Sequence, residues 1–207
     1  ESFVTPTGIF LSVEYQNEVL TYIKRIKSIK IDLNKIALVN DFSRKFVEGK
    51  ISMNEALNLL EEIDNAGDYK SILKLFFGGI AGAFFCLMFG GSMLDFIATF
   101  FISSIVVLIS AHLGKRNVTF FLSNVIGSIA ATILAIIFSM TSLSFSIDKI
   151  IIGSIMPLVP GVAITNAIRD SISGDFLSGL SRSLEAIIIA LAIAFGVGVT
   201  LKFQLIF

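Results

Sequence analysis

The chain has almost none of the residues on which most metal, redox and disulfide chemistry depends: one cysteine, one histidine and no tryptophan in 207 residues. A single Cys86, set in an apolar run, supplies neither a disulfide framework nor a thiolate metal site, and it leaves the redox compartment undefined. With His112 alone there is no His/Cys metal cluster. GxSxG, HExxH and Walker-type glycine loops are missing too, so the sequence reads as neither an enzyme nor a cofactor-binding protein. Sixteen basic and sixteen acidic residues cancel, which removes the basic footprint that nucleic acid requires. No basic-then-apolar leader opens the chain, and it starts at Glu1 without Met, so no signal peptide is expected and the natural N-terminus is expected upstream. Only three prolines occur, and two of them, Pro157 and Pro160, interrupt the same apolar stretch.

What is present is apolar surface. A 55% apolar chain with mean hydropathy +0.87 exceeds what one soluble core of this length can hide. The charge is uneven: residues 1–70 hold nine of the sixteen Lys and Arg and eleven of the sixteen Asp and Glu. The expected fold is therefore an α-helical polytopic membrane protein of five transmembrane helices, the fourth broken, over residues 71–207. A small cytoplasmic α+β domain is expected over residues 1–70.

In the first 70 residues, Thr5-Pro6-Thr7-Gly8 predicts a turn between ESFV and the strand GIFLSVEY, and VLTYIKRI predicts a further strand. Asp32 is placed to cap a helix with apolar positions Leu33, Ile36, Val39, Phe42 and Phe46, ended by Gly49. Ser52 and Glu55 form a capping box for a second helix, expected to be buried along Met53, Ala56, Leu57, Leu60 and Ile63. The basic run Lys24, Arg25, Lys27, Lys30 suits a solvated strand and turn or, alternatively, anionic lipid headgroups.

From Ile72 onward, apolar runs predict spans at about 72–91, 94–113, 119–140, 149–168 and 184–203. Lys115 with Arg116, and Arg169 with Arg182, fall between spans on one side, so the positive-inside rule puts the N-terminal domain in the cytoplasm of a multi-pass cell-membrane protein. Gly78 and Gly82 form a GxxxG, and Ala186, Ala190, Ala194 and Gly198 repeat every fourth residue, so both helices are expected to pack by small-residue faces.

Polar residues inside lipid are expensive and each needs a reason. Asn124, Ser128 and Thr132 share one face, suited to interhelical hydrogen bonds or to a substrate path. Asp95 follows the Gly90-Gly91-Ser92 turn, where it complements a helix dipole or serves a cation or proton. The richest segment is the fourth span. After Pro160 the amides of Gly161, Val162 and Ala163 are expected to form a half-helix N-terminus open to a carboxylate, with Pro157 and Pro160 as the break. Asn166, Asp170 and Ser173 then line one face, with Thr165 and Arg169 on the next. This constellation suits a small zwitterion or a dicarboxylate, while a proline-kinked helix with Arg169 and Asp170 marking its cytoplasmic exit is the plainer alternative.

The stretch PLVPGVAITNAIRDSISGDFLSGLSRSLEA, with FVTPTGIFLSV and FGGSMLDFIATF, resembles the N-terminal half of the threonine/serine exporter family, related to the larger subunit of two-component succinate exporters. The resemblance covers almost the whole chain. It implies export of threonine or serine, with succinate as the alternative, and a partner: a second five-span unit, fused or as a separate small membrane subunit, or further copies of the chain. Relative to the family pattern, the helical segment before the first strand and the second half are absent from this sequence. A membrane-anchored sensor or assembly protein, with residues 1–70 binding a partner, is the reading from a different class.

Overall fold

The computed structural model describes residues 1–16, 18–26, 31–67, 69–141 and 144–206, in two compact units, Glu1–Tyr69 and Lys70–Phe207. Lys27 and Lys30 of the basic run lie outside the described residues.

In the first unit, strands β1 (Ser2–Thr5), β2 (Gly8–Tyr15) and β3 (Glu18–Arg25) form an antiparallel sheet in that order. The Thr5 side chain, accepting from Gly8 N–H at 3.1 Å, closes the β1–β2 turn at the expected place. Register puts Val4, Ile9, Leu11, Val13, Tyr15, Leu20 and Tyr22 on one face, and all seven are exposed. Helices α1 (Leu33–Val47) and α2 (Met53–Asn65) follow. Asp32 caps α1 by accepting from Asn34 and Lys35 N–H, and the Ser52–Glu55 box caps α2. The burial expected along α2 is not found: Ala56 alone is buried, while Met53, Leu57 and Leu60 are exposed. The stripe is present but uncovered: α1 is the element packed against α2, and α1 buries no residue either.

The second unit is a helical bundle: α3 (Ser71–Met88), α4 (Met93–Lys115), α5 (Phe120–Ser139), α6 (Ile147–Ile155), α7 (Gly161–Ile172) and α8 (Phe176–Ile206). Four of these are long and apolar enough to cross a membrane, and α6 with α7 passes as a fifth, bent by 60°. A 3-10 turn at Met156–Leu158 ends the first arm and Pro160 caps the second, so the fourth span breaks where the prolines remove amides.

The last helix differs most from expectation, starting at Phe176. Its 31 residues span about 46 Å, longer than a hydrocarbon core of roughly 30 Å. Ser181, Arg182 and Ser183 read as a loop by polarity, yet none breaks a helix, and Gly174, at φ 90°, makes the turn.

Small residues bring the helices together. Added Cβ atoms at Gly79 or Gly82 would collide with Ser104 or Ser103, so α3 lies directly on α4. Gly82 also meets Gly153 of α6, where a Cβ would fall 2.7 Å from the Gly82 carbonyl oxygen. On α8 the face packed on α5 carries Ala192 and Gly196; Ala190, Ala194 and Gly198 are exposed, so only Ala186 of the expected stripe is buried.

Candidate functional site

Two polar loci flank the broken span. At the end where α4 and α6 begin, Asp95 is fully buried. Its Oδ2 accepts from Ser92 N–H at 2.8 Å and from Ser92 Oγ at 2.9 Å, completing a capping box for α4. Its Oδ1 accepts from Ser146 N–H at 2.8 Å, 51 residues away, at the cap of α6. One carboxylate thus fastens the starts of two helices, supplying acceptors to donors that lipid leaves unsatisfied.

Below Asp95 on the same face, Thr99 and Ser103 are also fully buried. Ser103 donates to the Gly78 carbonyl at 2.9 Å, whereas among the described residues the hydroxyl of Ser154, on α6, is buried without a partner, and that of Thr99, also buried, has only the Cys86 thiol beside it. Such an orphan costs about 1–3 kcal/mol. Nothing in the sequence sets these two positions apart, because an isolated Thr or Ser in an apolar helix is ordinarily bonded to its own backbone.

The Asn124 face behaves in that ordinary way. Asn124 Nδ2 donates to Phe120 O at 2.7 Å, Ser128 Oγ to Val125 O at 3.0 Å and Thr132 Oγ1 to Ser128 O at 2.8 Å. The bonds expected between helices are made within α5.

Past the prolines, Gly161 opens α7 with nothing within 4 Å of a notional Cβ and with no side-chain cap. The amide of Gly161 donates to Val159 O at 2.8 Å, and Ile164 N–H reaches Pro160 O at 3.0 Å, so the amides of Val162 and Ala163 are the open donors. Thr165, one turn on, spends its hydroxyl on Gly161 O at 2.9 Å. Asn166 is half-buried, and among the described residues its side-chain amide has no hydrogen bond.

At the other end of α7, Asp170 Oδ2 accepts from Arg182 Nε of α8 at 3.0 Å, with side-chain exposures of 23% and 27% respectively. Arg169 is exposed and makes no salt bridge among the described residues. The ion pair expected on this helix therefore belongs to Arg182. Its sequence signal was an acid and an arginine on either side of the Ser-Gly turn, invisible as a pair until α8 is known to start at Phe176.

The candidate residues do not form one pocket. Asp170 lies nine positions after Gly161, about 13 Å further along the helix. The structure groups Gly161 with Thr165, and Asn166 with Asp170 and Arg182. Asp95 and Asn124 belong to other helices and are held by the bonds given above.

A sequence profile of the threonine/serine exporter family matches residues 1–204. A threonine/serine exporter of Corynebacterium glutamicum is 24% identical over 180 residues, 84% of this chain and 37% of that protein. Two uncharacterized proteins of Schizosaccharomyces pombe are each 25% identical over 82% and 85% of the chain, which are 23% and 22% of their own lengths. The chain thus spans well under half of the relatives it matches. No solved structure matches.

Proposed function

Because the chain belongs to the threonine/serine exporter family, we propose that it is the substrate-handling part of a secondary exporter of small hydroxylated amino acids in the cell membrane. The carrying observation is the broken fourth span. Its second arm offers open amides at one end and a charged pair at the other, on a helix able to cross lipid only in company with the first arm. Gly161 with Thr165 and, about 13 Å further along α7, Asn166 with Asp170 are two separate points of contact, which the substrate occupies in succession as it moves along the helix. No nucleotide-binding motif is present, so an ion gradient is the driving force. Asp95 and Asn124 are more remote candidates for a coupling ion or a substrate path.

In this reading the unit Glu1–Tyr69 lies in the cytoplasm, because Lys115, Arg116, Arg169 and Arg182 then share its side. A cysteine at Lys115 should label from the cytoplasm and one at Ser142, which lies outside the described residues, from the other side; the reverse pattern inverts the topology. A second small membrane subunit, or further copies of the chain, completes the transporter.

Counterflow of radiolabelled threonine, serine and succinate in proteoliposomes, with and without such a subunit, tests the function. Threonine and serine are expected to exchange. Exchange of succinate alone would make the protein a dicarboxylate carrier, and a chain that exchanges nothing in either setting would favour a sensor or assembly role.

A further inference from the structure

The bond between Asp170 and Arg182 is a single one, from Nε to Oδ2. A bidentate Arg–carboxylate pair would use Nε and an Nη together, engaging both carboxylate oxygens. Here Asp170 keeps Oδ1 and Arg182 keeps both Nη groups, and among the described residues nothing else pairs with either side chain. The pair is about one quarter exposed and so is approachable. One turn away along α7, on the Asp170 side, the Asn166 side-chain amide is half-buried and has no partner among the described residues. An acceptor oxygen, a fork of donors and a free amide therefore share one short stretch of the α7–α8 hairpin.

We propose that Asp170 and Arg182 together read the ammonium and carboxylate of the transported amino acid, making Arg182 a specificity-determining residue; this rests on the amino-acid reading given above. The two charges of an α-amino acid are separated by one carbon, comparable to the spacing across an ion pair. A zwitterion can lay its carboxylate on the Nη groups and its ammonium on Oδ1 without breaking the existing bond. A dicarboxylate brings a second negative charge against Asp170, and an amino ester brings a lone positive charge against Arg182. Each wrong ligand meets a like charge as well as losing a partner, which is how specificity is built by repulsion. The neighbouring Arg169 is exposed, and among the described residues it is Arg182 that pairs with Asp170.

The experiment is threonine counterflow by the full chain, with its second subunit if one is required, in competition with threonine methyl ester, 3-hydroxybutyrate and succinate. In the wild type only threonine is expected to compete. Arg182→Gln should weaken threonine by about tenfold or more, the loss of one charged contact, and bring the ester to near parity with threonine. Asp170→Asn should do the same for 3-hydroxybutyrate. Arg182→Lys, which keeps the charge but not the fork, should bind threonine more weakly and still reject the ester. Variants that slow transport while leaving the competition ranking unchanged, or an Arg182→Lys protein that no longer discriminates, would overturn the assignment. A wild type that exchanges succinate and not threonine would instead sink the amino-acid reading itself.

Discussion

The two arms of the fourth span are made of similar material and live in different surroundings. Of nine residues in α6, Ile150, Ile151, Gly153 and Ser154 are buried, and the arm packs on α3, α4 and α5. Of twelve in α7, Ala167 alone is buried, and α8 is its main neighbour. The first arm is pinned at its start by Asp95 and crossed at Gly153 by the Gly82 backbone. The second is joined to α8 by one ion pair and by the close approach of Gly179 to Ser171 and Ala167. Low local burial is where proteins open most easily, so α6 is expected to serve as the anchor and α7 as the arm that moves, with Pro157 and Pro160 as the joint.

If α6 is the anchor, damage to it should appear as lost stability. Asp95→Ala strips the acceptor from three donors at two helix starts, each orphan costing about 1–3 kcal/mol, so unfolding of the bundle in detergent should come earlier by several kcal/mol. This is the largest effect expected. Unchanged thermal stability would mean that water or lipid headgroups reach these donors and that α6 is not pinned there. Gly153→Val should follow at roughly 1–3 kcal/mol, because even its Cβ lies 2.7 Å from Gly82 O and 2.8 Å from the Thr99 methyl, with backbone on one side unable to yield.

The contrast was only half legible in the sequence. Pro157 and Pro160 announce the break because proline's missing amide acts locally, and Asp32 and the Ser52–Glu55 box announce helix starts for the same reason. The Asp95–Ser146 bond joins positions 51 residues apart, and nothing in either neighbourhood implies the other. On α2 the amphipathic stripe says which face wants cover but cannot say that cover is present, and the stripe lies exposed. The Asp170–Arg182 pair was hidden by a polar stretch read as loop, since Ser and Arg are tolerated in a helix whose outer turns leave the lipid.

For the movable arm the effect should fall on transport and not on folding. Asp170→Asn removes an ion pair about one quarter exposed, worth about 0–1 kcal/mol in stability after solvent screening. Threonine export normalised to protein in the membrane should nevertheless fall by about tenfold or more, as one charged substrate contact implies. A variant as unstable as Asp95→Ala would erase the distinction between the arms.

The smallest change tests the sharpest point of the comparison. Gly161→Ala adds a methyl group where nothing lies within 4 Å, at a position without positive φ, in contrast to the crowded Gly153 on the other arm. Alanine also favours the helix over glycine by roughly 0.5–1 kcal/mol, so thermal stability should hold or rise slightly. Transport is the informative readout. The added methyl sits beside the open amides of Val162 and Ala163, and a carboxylate docked there would be partly displaced, giving a few-fold rise in the apparent KM for threonine with little change in maximal rate. A stable Gly161→Ala protein with wild-type KM would leave α7 with a single substrate contact, at the Asp170 end, and would make the proline break a hinge without a ligand.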